Sequence, residues 1–207
     1  MSDGRVERAA AAREARREQI LDAARVVFAA RGYHGTGVSE LVAACGVARG
    51  TFYQYFPSKE AVFHALLDVL LARLGAALVP VDRRPGAAPV SVQLRAIVSG
   101  LLAVMDGDRA LTRVLFREAL ASDGAADARM AHFHRDLAAW VRHALALGVA
   151  DGILRPIDRD VVADCIVGTL RGVIVARIVD AAEPLDVDRV ADAVLGYAWE
   201  GLSARGA

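Results

Sequence analysis

With 207 residues, 21.9 kDa and 55% hydrophobic side chains, the chain can bury roughly 70% of its unfolded surface in one or two domains, so a full core is available. Its 25 basic and 25 acidic groups cancel to a formal net charge of zero, which counts mildly against a nucleic-acid partner. Two cysteines, Cys45 and Cys165, exclude a close-spaced disulfide framework, and the longest apolar region, 161–179, is broken by Asp164, Arg171 and Arg177, which excludes a membrane span.

Residues 1–12 are expected as a disordered arm with no signal-peptide apolar stretch. Arg13, Arg16 and Arg17 precede the first helix, and Glu14 and Glu18 can pair along it, so this start reads as a solvated charged face. Up to residue 60 there are nine basic and seven acidic groups, net +2, leaving sixteen against eighteen beyond. Val38, Leu41, Val42 and Cys45 recur at i, i+3, i+4 and i+7, which predicts a short helix with one buried face, broken by Gly46. In a second short helix, Ala48 through Phe56, Phe52, Tyr55 and Phe56 share one side and Arg49, Gly50, Tyr53 and Gln54 the other. Two short helices joined by a tight glycine turn form a helix-turn-helix, whose second member fits a major groove about 12 Å wide. Pro57 and Ser58 then open another helix, with Lys59, the sole lysine of the chain, in its first turn. The helix dipole disfavours a cation there, so Lys59 needs a partner, and a DNA phosphate would serve.

The run from Glu18 to Phe63, with QILDAARVVFAARGYHGTGVSELVAACGVARGTFYQYFPSKEAVF, resembles the N-terminal DNA-binding domain of the TetR family of bacterial transcriptional regulators. Arg31-Gly32-Tyr33 close helix one, Thr36 precedes helix two, and Gly46-Val47 and the Thr51-to-Glu60 run follow in order. Gly37 stands where Ser or Thr is common, and Ala48 where a Ser often caps the reading helix. The resemblance implies an all-α protein, with a three-helix DNA-binding domain over 13–62 and a helical effector-binding and dimerisation domain over 63–207. It also implies phosphate contacts by Thr36, Thr51, Tyr53 and Lys59. Arg49, Gln54 and Tyr55 are the candidate base readers, since Arg suits guanine, Gln adenine and a tyrosine ring the thymine methyl, while Gly50 permits close backbone approach. For Tyr55, core packing is the competing role.

Beyond Phe63, helix four is expected to continue through Leu66, Leu67, Leu70, Leu71 and Leu74, ending in a loop from Pro80 to Pro89. Further helices are predicted near Val90 to Met105, Asp108 to Ala121, Ala125 to Val149, Arg159 to Val179 and Asp186 to Leu202. The breaks are Asp106-Gly107, Asp123-Gly124, Asp151-Gly152 with Pro156, and Glu183-Pro184. The last two helices carry more apolar residues than one core stripe needs: Ile166, Leu170, Val173, Ile174, Val190, Val194 and Tyr197 among them, with Gly168 and Gly172 allowing close approach. Resemblance makes these a homodimer interface; burial within the monomer is the alternative.

An effector pocket, again placed by resemblance, has as candidates Leu67, Leu71, Leu101, Met105, Phe116, Phe133 and Trp140, with His143, Cys165 and Thr169 as polar handles. No metal site is expected, because His132 and His134 diverge on a helix and His132 with Asp136 supplies only two ligands. No cofactor is implied, and nucleophile elbow, P-loop and zinc motifs are lacking, so no enzyme is expected. The expected function is a cytoplasmic DNA-binding regulator: a homodimeric repressor on a palindromic operator, released by a small molecule of unknown identity. The alternative is a dimeric helical interaction or ligand-binding protein that no longer reads DNA.

Overall fold

The computed structural model describes residues 3–121 and 125–202, and these form nine α-helices and no strand. The first four are α1 (Asp3–Arg31), α2 (Val38–Cys45), α3 (Arg49–Tyr55) and α4 (Lys59–Ala77). Along α1, Ile20, Leu21, Ala24 and Phe28 make a fully buried stripe that packs against Leu41 and Cys45 of α2, Phe52 of α3 and Phe63 of α4. Glycine ends two of these helices for a backbone reason. Gly32 and Gly46 have φ of 72° and 64°, a left-handed conformation that a side chain resists, and the Gly46 amide donates to the Ala43 carbonyl as α2 turns towards α3. Ser58 accepts from the Ala61 amide at 3.2 Å and so starts α4.

The remaining helices are α5 (Val90–Asp106), α6 (Arg109–Ala121), α7 (Ala125–Ala150), α8 (Arg159–Ile174) and α9 (Val187–Leu202). Short acidic side chains open three of them: Asp108 accepts from Leu111, Asp158 from Asp160 and Val161, and Asp186 from Arg189. The predicted spans agree with these to within a few residues; the Asp123-Gly124 break lies outside the described residues. Two differences have clear causes. Residues 3–12, expected as an arm, are helical from Asp3 and solvent-exposed from Gly4 onward, in a run of Ala, Arg and Glu with high helix propensity. The helix expected to run to Val179 widens into a π-helical turn at Val175–Val179, where Arg109 and Arg113 of α6 donate to the carbonyls of Arg177, Ile178 and Ala181.

One contiguous apolar cluster extends from Ile20 in α1 through Phe63, Leu70 and Leu74 of α4 to Leu101, Met105, Leu115 and Phe116. Helix α4 therefore belongs to both halves. Helix α6 also joins them, because Asp108 at its start pairs with Arg25 at 2.9 Å and Glu118 meets His34 at 3.1 Å. Among the described residues, no single helix is long and apolar enough to cross a membrane.

Candidate nucleic-acid interface

Helix α3 is only seven residues long, too short to persist alone, so its place depends on side chains it buries. Phe52 is wholly buried and Phe56, just after the helix, is 3% exposed, both in the cluster with Ile20 and Leu41. Anchored so, α3 turns Arg49, Gly50, Tyr53 and Gln54 outward, all four exposed. Nothing lies within 4 Å of where a Cβ on Gly50 would sit, so this glycine leaves an open notch on the outer face. The Arg49 guanidinium lies 5.8 Å from the Tyr53 ring centroid, and that ring stands edge-on to Phe52. Thr51 is half-buried beside them. Tyr55 is half-buried and packs against the core, which favours its packing role.

Two residues expected at phosphates have partners within the chain. Thr36 is 2% exposed, and its hydroxyl donates to the Gly32 carbonyl at 2.7 Å, tying off the end of α1. Lys59 donates from Nζ to the Tyr33 carbonyl at 3.0 Å and sits 4.2 Å from the centre of the Tyr33 ring. The carbonyl and the ring's negative face supply what the α4 dipole denies the ammonium. Lys59 remains half-exposed, with donor capacity left over.

Tyr33 is the centre of this joint. Its ring packs on Phe28 and Phe63, and its hydroxyl donates to Glu60 at 3.2 Å. Burial first, then the Glu60 charge, pushes its phenol up to about 12 from 10.0. The folded chain thus keeps the phenol neutral at pH values where the unfolded chain ionises it. That contribution to stability is complete below about pH 10 and is lost as pH rises towards 12. Denaturant midpoints measured across this window should fall less steeply for Tyr33→Phe than for the wild type.

The two departures in the helix-turn-helix differ in consequence. Gly37 offers α2 no side-chain cap, but Glu40 reaches back to accept from the Gly37 amide at 3.0 Å. Ala48, at φ −64° and ψ 146°, has the backbone of an N-cap and no side-chain oxygen to cap with. Ala48→Ser should therefore raise stability by about 1 kcal/mol in chemical denaturation.

In the larger half, a cavity of about 140 Å³ lies between α5, α7, α8 and α9. Ile97, Leu101, Leu137, Trp140, Leu154, Trp199 and Leu202 line it, and Arg83 and Asp151, which pair with each other, stand at its edge. A smaller cavity of about 40 Å³ shares Leu101, Leu137 and Leu170 with it and reaches Leu74, Met105, Phe116, Phe133 and His134. Of the residues expected at an effector, Leu101 and Trp140 line the first, and Leu101, Met105, Phe116 and Phe133 the second. Leu67 is wholly buried core and Leu71 packs against that core. His143 is exposed on α7, and Cys165 and Thr169 line a separate groove between α8 and α9. Sequence reasoning missed Ile97, Leu137 and Leu202, which a helical stripe cannot distinguish from ordinary core. Among the described residues, no three His, Cys, Asp or Glu side chains are grouped to hold a metal ion.

The residues expected at a partner helix are divided. Leu170 and Val190 are each 6% exposed, Ile166 and Val194 line the large cavity, and Val173 and Ile174 pack beside Leu102 and Val190. These serve the protomer's own interior, because α9 packs on α5 and α8 on α7. Tyr197, 75% exposed, and Val161, 58% exposed, face outward with Cys165, Gly168 and Gly172.

Residues 20–66 match the family of bacterial regulatory proteins named for tetR, and residues 87–177 match the tetracyclin repressor-like C-terminal domain. The chain is 29% identical to the HTH-type transcriptional activator FasR of Mycolicibacterium smegmatis over 92% of its length and 84% of that protein's. A TetR-like transcriptional regulator from Rhodococcus sp. RHA1 superposes with a TM-score of 0.69 at 26% identity, covering 90% of this chain and 94% of that one. The fatty acid degradation regulator FadR of Bacillus halodurans shares the fold, with a TM-score of 0.72 at 24% identity over 88% and 94% of the two chains. Helix-turn-helix, all-helical second half and matches to both halves agree: the chain belongs to the TetR family and is a DNA-binding transcriptional regulator.

Proposed function

We propose that a homodimer of this chain binds a near-palindromic operator through paired α3 helices and represses transcription until an apolar small molecule enters the cavity between α5, α7, α8 and α9. The observation that carries the DNA half is the outward Arg49, Gly50, Tyr53 and Gln54 surface on a helix fixed by Phe52 and Phe56. Arg49 and Gln54 read bases, Gly50 admits the groove wall, and Thr51, Tyr53 and the spare capacity of Lys59 hold phosphates. Residues 13–62 form the reading domain and 63–207 the effector and dimerisation domain, acting in the cytoplasm. The exposed faces of α8 and α9 around Val161, Gly168, Gly172 and Tyr197 meet their mates.

The cavity wall is almost wholly apolar, so the effector has an apolar body, with any polar end near Arg83 and Asp151. Its signal leaves by α4 and α6, which touch both halves. A ligand acts only through its differential affinity for the two arrangements, typically 1–3 kcal/mol. Selection of bound sequences from random DNA, followed by a screen for compounds that release the best one, tests this reading. Recovery of no preferred sequence at low salt would refute it. A second reading, activation instead of repression, is favoured by the activator name of the full-length relative FasR. A reporter driven from the selected operator separates the two by the sign of its response.

A further inference from the structure

Helix α1 begins nearly five turns before its first buried residue, Ile20, and the projecting part is exposed throughout residues 4–16. Its charges are sorted. At about 100° per residue, Arg5, Arg8, Arg13, Arg16 and Arg17 fall within about half of the helix circumference, while Glu7, Glu14 and Glu18 gather within about 40° on the opposite side. A helix that needs only solvation is better served by interleaved signs. Here Arg5 and Arg8, Arg13 and Arg16, Arg13 and Arg17, and Glu14 and Glu18 stand three or four residues apart as like charges, which weakens an isolated helix. Only the Arg17–Glu14 contact at 3.5 Å opposes this trend among the described residues; Arg8 donates to the Gly4 carbonyl, and Arg5 and Arg13 form no ion pair there.

The basic face leads into the reading unit. Arg16 donates to Gln19 Oε1 at 2.8 Å, and Gln19 Nε2 donates to the carbonyl of Cys45, the last residue of α2 before the turn into α3. The Arg17 guanidinium lies 5.5 Å from the ring centroid of Phe56, at the other end of α3. The arginine row is therefore continuous with the edge of the helix-turn-helix, and the glutamates are on the far side. At about 1.5 Å per residue, residues 3–17 extend roughly 22 Å, long enough to pass several phosphates of a duplex that carries one charge per about 1.7 Å.

We propose that the face bearing Arg5, Arg8, Arg13 and Arg16 is a second DNA-contact element, lying along duplex phosphates that flank the half-site read by α3. This rests on the DNA-reading role of α3 and adds a contact independent of sequence. It strengthens binding to every duplex, lengthens the footprint beyond the bases selected, and leaves base preference to Arg49 and Gln54.

The test uses the full chain with Arg5→Gln, Arg8→Gln and Arg13→Gln combined, since Gln has nearly the helix propensity of Arg and circular dichroism can verify the helix. Binding to the best selected operator is titrated from about 50 to 200 mM salt. Each phosphate contact contributes about 0.9 to the slope of log affinity against log salt, and a homodimer carries two copies of the face, so the triple variant, which removes six contacts, should lose about five units of slope and at least on the order of 100-fold in affinity at the lowest salt. Each single substitution, present once per half-site, should lose about two units, and the base preference should stay that of the wild type. Glu7→Gln with Glu14→Gln, on the opposite face, should leave the slope unchanged. A triple variant that keeps the wild-type slope while still selecting the same sequence would overturn the second contact and leave the α3 reading standing. A wild type that selects no sequence would overturn both.

Discussion

Phe52→Ala is expected to lower stability by about 3–5 kcal/mol, the range for removing a buried phenyl ring, and to abolish sequence-selective binding. Phe52 has no exposed surface and packs in the cluster that holds α1, α2 and α4 together. A helix of seven residues has no independent stability, so losing that anchor releases α3 from its place before it disturbs α5 to α9. The loss is a large part of the 5–15 kcal/mol that a domain typically has. Gln54→Ala is the matched control on the same helix. Its side chain is exposed, so stability should change by less than about 0.5 kcal/mol, while discrimination at one base position per half-site weakens by about 1–3 kcal/mol. Urea unfolding and selection from random DNA measure the two effects separately. Sequence-selective binding that survives Phe52→Ala would remove α3 as the reading element.

The order of helices is legible in the chain because each boundary carries its own local chemistry. Gly46 reverses the chain at a left-handed φ, Ser58 caps α4, and Asp108, Asp158 and Asp186 open later helices, all readable over four or five residues. The outward face of α3 is legible for the same reason, since Phe52 and Phe56 declare the inward one. What resists reading depends on partners distant in sequence. The helix dipole argument shows that Lys59 needs an electronegative partner, but that partner is the Tyr33 carbonyl, 26 residues away and brought near only by α1 packing on α4. Thr36 likewise spends its hydroxyl on Gly32 through a turn whose shape no spacing rule announces.

Cavities are harder still. Leu67 and Leu137 occupy equally apolar stripes of their helices, yet the first is filled core and the second borders a void, and only the packed neighbours distinguish them. The apolar surplus of α8 and α9 follows from this: Ile166, Leu170 and Val194 line the cavity, so a surplus that reads as an association face also furnishes an internal wall.

That wall sets the other large expected effect. Ala144→Phe should make the protein unresponsive to any compound that releases the wild type from its operator. Ala144 is half-buried on α7 and lines the cavity of about 140 Å³. A cavity of about 150 Å³ admits benzene, so one added phenyl ring occupies a volume comparable to the whole space. Filling a void costs less than overpacking a dense core, which typically costs 1–3 kcal/mol, so the fold should tolerate the change. Operator affinity should remain within about threefold of wild type, because Ala144 lies outside the apolar cluster that joins α4 to the helix-turn-helix. At a hundred times its dissociation constant, a ligand that binds only the folded state stabilises it by about 2.7 kcal/mol, and the corresponding rise in melting temperature should vanish in the variant. Because the smaller cavity is separated from the larger by Leu101, Leu137 and Leu170, the variant also isolates the site of entry. If Ala144→Phe is still released and still stabilised by the same compound, the ligand occupies another site. The route from ligand to α3 then starts elsewhere than between α5, α7, α8 and α9.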